Sequence, residues 1–178
     1  MPYSLPPTFT ILVRRVDGNI YQLSTSQILP MPRSHAFTFF ENPQNLFDIT
    51  PDWLRFVMKD REIKSTVFEG AEFDYTIRWY GVTMGWRSKI IDYKPPERFK
   101  DIQLVGPYRS WEHLHTFEDV PEGTLMRDTV TYELSFGLLG SMVHALVVKR
   151  QLEDVFSYRA MRIDEWSRGE LRKKVKQN

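Results

Sequence analysis

Trp111-Glu112-His113-Leu114-His115-Thr116-Phe117, then a turn at Pro121-Glu122-Gly123, then Arg127-Asp128-Thr129-Val130-Thr131-Tyr132-Glu133-Leu134, reads as two strands joined in a hairpin. Beyond Gly137 and Gly140, the segment from Ser141 to Arg168 has neither glycine nor proline and reads as one long helix. Strand periodicity sets Trp111, His113, His115 and Phe117 on one face. In the second strand Asp128, Val130, Tyr132 and Leu134 share a face, and the alternate set, Arg127, Thr129, Thr131 and Glu133, is polar enough to meet water. The Asp128 row therefore turns inward, beside the histidine row. At about 100° per residue, Ala145, Val148, Leu152, Val155, Phe156, Ile163 and Trp166 share one face of the helix, with Arg159 in its middle. A hairpin feeding one amphipathic helix predicts a curved sheet wrapped around that helix, which makes a container for a ligand.

Upstream, Phe73-Asp74-Tyr75-Thr76-Ile77-Arg78-Trp79 alternates as a strand with one buried face. Trp86 to Tyr93 is another strand, ended by Pro95-Pro96, and Phe99 to Val105 a third, ended by Gly106-Pro107. Near the start, Thr8 to Val16 and Ile20 to Ile28 flank Asp17-Gly18-Asn19, a hairpin signal. Between these regions Ser34 is a candidate cap for a short helix carrying Ala36, Phe37, Phe39 and Phe40. Asn42-Pro43 opens a second short helix that stops at Thr50-Pro51, so the pair makes a corner.

The fold class expected is α+β: a curved antiparallel sheet of about six to seven strands around a long C-terminal helix, with two short helices after the first strand. Residues 1–19 are expected to be an N-terminal extension or an extra hairpin strand, 20–168 a ligand-binding domain, and 169–178 a basic, flexible tail. A chain of 178 residues suits one domain. Aromatics make up 14% of it, enough to pack a core or to wall a hydrophobic cavity. The net charge of +1 gives no field that would recruit nucleic acid. Without cysteine there are no disulfides, thiolate metal sites or cysteine nucleophiles. With no apolar leader pattern and no stretch near the roughly 18 apolar residues of a membrane span, a cytoplasmic protein is the expectation. G-x-G-x-x-G, Walker A, H-E-x-x-H and G-x-S-x-G are all missing, so nucleotide-fold, zincin and hydrolase classes lack their marks.

From Ile20 to Trp166 the order of elements resembles the helix-grip fold of the SRPBCC superfamily, which includes START domains, birch-pollen-allergen-like proteins and the polyketide cyclase/dehydrase group. Besides the hairpin, the fragments that carry the resemblance are Gln27-Ile28-Leu29-Pro30, Phe39-Phe40-Glu41-Asn42-Pro43-Gln44-Asn45-Leu46, Ile49-Thr50-Pro51, and Phe99-Lys100-Asp101-Ile102-Gln103 with Gly106-Pro107. The resemblance implies a START-like, bacterial ligand-binding domain with a cavity between sheet and helix. Such cavities take lipids, polyketides, quinones or similar hydrophobic molecules.

Two imidazoles and a carboxylate on a mostly apolar wall, His113, His115 and Asp128, leave several readings open. They can satisfy one another as a buried hydrogen-bonded network. They can orient the polar end of a ligand whose body lies on Tyr75, Trp79, Trp86, Trp111 and Tyr132. They can carry protons in a polyketide cyclase, aromatase or dehydratase. His-x-His on a strand also allows metal ligation, but nothing else in the sequence calls for it, so no metal and no cofactor are assigned. Arg159 needs a partner, because an unpaired guanidinium in an apolar stripe costs several kcal/mol. That partner is a sheet carboxylate, Asp128 or Asp101, or an oxygen of a ligand; the remaining option is snorkelling at the cavity mouth. Asp101 and Gln103 share a row with Phe99, as polar spots inside or as satisfied caps at the rim. Val143, Val147, Tyr158 and Met161 form a second helix face that would suit a regulatory contact such as a homodimer. The reading adopted is a binder of a hydrophobic small molecule, with the enzyme and the interaction module as alternatives.

Overall fold

The computed structural model describes residues 6–59, 66–79, 81–134 and 147–169. Eight antiparallel strands form one sheet: β1 (Thr10–Asp17), β2 (Ile20–Leu29), β3 (Val57–Met58), β4 (Glu72–Trp79), β5 (Val82–Lys94), β6 (Arg98–Val105), β7 (Ser110–Val120) and β8 (Gly123–Glu133). Their spatial order is β1-β2-β8-β7-β6-β5-β4-β3, so the crossover from β2 to β3 spans the whole sheet. Helix α1 (Arg33–Glu41) and two 3-10 turns, Pro43–Phe47 and Asp52–Leu54, occupy that crossover. The second helix, α2 (Lys149–Ser167), packs across β1 and β2. This is the helix-grip arrangement, with β1 as the added outer strand of the first hairpin.

The corner forms largely for the reasons its sequence suggests. Asn42 accepts a hydrogen bond from the Gln44 backbone N–H at 3.0 Å, and Pro43 occupies the first position of the turn, where no N–H is needed. Asn45 Nδ2 donates to the Phe39 carbonyl at 2.8 Å and ties the two short helices together. Ser34 does not cap α1. The N-cap is Pro32, whose fixed φ sets the extended approach and whose carbonyl accepts from the His35 and Ala36 N–H groups, each at 3.0 Å.

Two apolar clusters pack between sheet and helices. One joins Leu29, Phe37, Phe39, Phe99, Phe117 and Ile163, with the Phe37 and Phe117 rings 5.3 Å apart. The other joins Leu23, Trp86, Trp111, Tyr132, Leu152 and Phe156. Val148, Leu152, Phe156 and Ile163 of the expected stripe are buried, whereas Ala145 lies outside the described residues. Gln27 Nε2 donates to the Ala160 carbonyl at 3.2 Å, and Arg162 Nε to the Asp48 carbonyl at 2.9 Å, so α2 is pinned to β2 and to the corner. Of the second helix face, Val147, Tyr158 and Met161 are half-buried within the chain, and Val143 lies outside the described residues. The basic residues beyond 169 and the Gly137 to Gly140 turn also lie outside them.

Candidate functional site

The two apolar clusters do not close on each other. Between them lies a cavity of about 220 Å³, where a single water needs only about 10–15 Å³. Its walls come from the corner (Phe39, Leu46, Ile49), the strand rows Phe73-Tyr75-Ile77 and Trp86-Ser88-Ile90, and Leu152, Val155 and Phe156 of α2. The described side chains therefore leave the interior unfilled. Tyr108 reaches the wall from the loop after β6, because Gln103 folds over it, accepting from its N–H at 3.3 Å and donating to its carbonyl at 2.7 Å. Gly106 leaves room for that fold: a Cβ there would lie 2.2 Å from Gln103 Oε1.

Polar chemistry gathers where three strands meet. Register sets His113 opposite Asp101 across β6 and β7, and His115 opposite Asp128 across β7 and β8. The side chains close into a ring of four. His113 Nε2 lies 3.1 Å from Asp128 Oδ1, and His115 Nε2 lies 3.3 Å from Asp101 Oδ2, both in hydrogen-bonding alignment. The two remaining contacts are His113 Nδ1 to Asp101 Oδ2 at 3.5 Å and His115 Nδ1 to Asp128 Oδ1 at 2.7 Å. The last is close but lies off the alignment of a hydrogen bond. The imidazole centroids are 3.8 Å apart, Phe99 stacks on His115 at 4.3 Å, and Phe156 meets His113 edge-on at 5.6 Å.

Burial and charge act differently on each member. Burial would raise the Asp128 pKa, but the attraction of His115 and the hydrogen bond to His113 hold its carboxyl well below the usual carboxylate range. The Thr25 hydroxyl adds a further donor, 3.3 Å from Asp128 Oδ2. Burial lowers His113, helped by its neighbour His115. Burial also opposes the charged form of His115, but Asp128 and Asp101 more than reverse this and its pKa is raised.

Arg159 stands on the α2 side of the same cavity. Its guanidinium lies over the Phe156 ring, 5.0 Å from the centroid, and its Nε is buried with no hydrogen-bond partner. Neither Asp128 nor Asp101 forms an ion pair with it, because both carboxylates are taken up by the histidines. This corrects the expectation of a sheet carboxylate as its partner. Burial lowers its pKa, against the attraction of Asp128, Asp101 and Tyr75. Trp86 Nε1 is a second buried donor without an acceptor.

Of the residues singled out from the sequence, Tyr75, Trp86, Trp111, His113, His115 and Arg159 line the cavity together. Asp128 and Tyr132 do not: Asp128 is 4% exposed behind the histidines, and Tyr132 is sealed in the core, where its ring stacks on Tyr21. The inward row of β8 forms the layer beneath the wall. The side chain of Trp79 lies outside the described residues. Sequence reading missed the corner residues Leu46 and Ile49, and Tyr108. The spacing of Gln103, Gly106 and Tyr108 was the available signal for the last.

The profile of the family described as "polyketide cyclase / dehydrase and lipid transport" matches residues 29–157. Among the curated proteins, none matches the sequence. Solved structures are similar in fold at low identity. The protein TTHA0849 from Thermus thermophilus is 15% identical, with a TM-score of 0.62 over 83% of this chain and 97% of its own. Ara h 8.0201 is 14% identical, with a TM-score of 0.56 over 84% of this chain and 99% of its own. The di-domain ARO/CYC protein StfQ from the steffimycin biosynthetic pathway is 15% identical, with a TM-score of 0.61 over 85% of this chain and 53% of its own.

Proposed function

The chain belongs to the polyketide cyclase/dehydrase and lipid transport family, and we propose that it binds one hydrophobic small molecule, of lipid, polyketide or quinone type, in the cavity between sheet and α2. The observation that carries this reading is an apolar cavity of about 220 Å³ with the guanidinium of Arg159 on its wall, in no ion pair with a carboxylate of the described residues. Apolar walls hold the body of such a molecule, and a few convergent polar groups fix its orientation. The guanidinium of Arg159 offers N–H donors to an acceptor oxygen, so the carbonyl or acidic end of the ligand lies toward α2 and the histidine ring. No described helix is long and apolar enough to cross a membrane, and a cytoplasmic carrier or sensor fits the reading.

The test is native mass spectrometry of gently purified protein, followed by organic extraction and identification of the passenger. A stoichiometric hydrophobic molecule, lost in a folded Arg159→Met variant, is the expected result. A clean mass with no uptake of fluorescent fatty-acid or quinone probes would overturn it. A second reading, a cyclase or dehydratase, is favoured by one observation: His113, His115 and Asp101 all line the cavity, where a bound carbonyl compound could meet them. Turnover of an extracted polyketone, abolished in His115→Gln with binding retained, would select it.

A further inference from the structure

The histidine ring contains more than a hydrogen-bonded network requires. His113 is anchored through Nε2 on Asp128, which leaves Nδ1 directed at Asp101 Oδ2, 3.5 Å away. His115 Nε2 is directed at the same oxygen from 3.3 Å. Three donor atoms of metal-ligand type therefore converge from two adjacent strands, all within 4.8 Å of one another. In a tetrahedral site with arms of about 2.0–2.1 Å, two ligand atoms stand about 3.3–3.4 Å apart. The two edges that meet at Asp101, 3.3 and 3.5 Å, are close to that length.

The surroundings match what a metal-binding histidine needs. Such a ring turns its other nitrogen to a carboxylate or carbonyl, which fixes the tautomer and makes the ligating nitrogen more basic. Asp128 stands in that place for His113, hydrogen-bonded at 3.1 Å to its Nε2, and also lies 2.7 Å from His115 Nδ1, off the alignment of a hydrogen bond. It is itself held by Thr25 and cut off from the cavity. Asp101, His113 and His115 line the cavity, so a fourth position faces the space where a ligand lies.

We propose that Asp101, His113 and His115 form a binding site for a divalent transition-metal ion of the zinc class, with Asp128 as the carboxylate that orients His113 and faces His115. Two imidazoles and one carboxylate suit Zn²⁺, Co²⁺ or Fe²⁺ rather than Mg²⁺ or Ca²⁺, which prefer all-oxygen shells. Arg159 opposes a second cation on the same wall; the charges of Asp101 and Asp128 offset it. The site stands independently of the proposed cargo, which bears only on what would fill the fourth position. An ion there would polarise a carbonyl oxygen of whatever enters the cavity.

The experiment uses the full chain without a histidine tag, stripped with chelator and titrated with Co²⁺ and with Zn²⁺. One ion per chain is expected, with the intense visible absorption of four-coordinate Co²⁺, bleached by Zn²⁺. Asp101→Asn and His113→Gln should each abolish that spectrum, and Asp128→Asn should weaken binding by about ten- to a hundredfold. Circular dichroism confirms which variants are folded, and the parent spectrum decides the matter even if a variant does not fold. No stoichiometric uptake by the folded parent, or octahedral Co²⁺ binding unchanged in Asp101→Asn, would overturn the site. Either result would leave cavity binding by mass spectrometry unaffected.

Discussion

Replacing Arg159 by Met should stabilise the protein while weakening its hold on a carbonyl-bearing ligand. The side chain is half-buried on the cavity wall, with its Nε sealed off and unpartnered. An orphaned buried donor costs about 1–3 kcal/mol. The lowered pKa gives the same sign, since burial disfavours the charge more than Asp128, Asp101 and Tyr75 favour it. Against this, the guanidinium over Phe156 contributes about 0.5–1 kcal/mol, and Met retains most of the apolar stem contact. The balance is a gain of about 1 kcal/mol, which in a domain of this size raises Tm by about 2–4 °C. Urea unfolding and calorimetry measure the stability, and displacement of a fluorescent fatty acid measures the binding. If Arg159→Met instead loses about 3 kcal/mol or more, the size expected for breaking a buried pair (about 3–5 kcal/mol), the guanidinium is paired after all and the reasoning fails.

Gly106→Ala should push Gln103 off Tyr108 and cost about 1–2 kcal/mol through the two lost hydrogen bonds. An unchanged urea midpoint would show that Gln103 is not needed to hold the loop. Phe37→Ala, in the core at 2% exposure and outside the cavity lining, should cost about 3–5 kcal/mol yet leave ligand stoichiometry unchanged in native mass spectra. At alkaline pH, burial raises the phenols of Tyr75, Tyr108 and Tyr132, and burial with Glu41 pushes Tyr93 up to about 12. A raised phenol contributes stability that is complete below its unfolded pKa near 10 and is lost as pH climbs through the folded value. Stability should therefore fall above about pH 10, with phenolate absorbance appearing together with unfolding. Free titration of all tyrosines in the folded state would contradict this.

The amino-acid sequence determined what is local or periodic. Alternation in β4, β7 and β8 assigned the inward rows, and Asn42-Pro43 set the corner. The stripe from Val148 to Trp166 marked the long helix, and Arg159 stood out within it because a cation breaks an apolar pattern. His113 and His115 were legible as a pair because a strand repeats every second residue. What the sequence could not supply was depth and partnership across strands. Tyr132 and Asp128 share the inward row but lie in the layer beneath the cavity, and depth in a curved sheet depends on what packs above each residue. Asp101 entered the histidine ring only through the register of β6 against β7, a choice made by the pairing of whole strands. By occupying both carboxylates, that ring also left Arg159 without the partner its sequence position suggested. The cavity itself exists because the corner and α2 stand apart across the sheet, and such a gap is a property of packed volumes that no periodicity encodes.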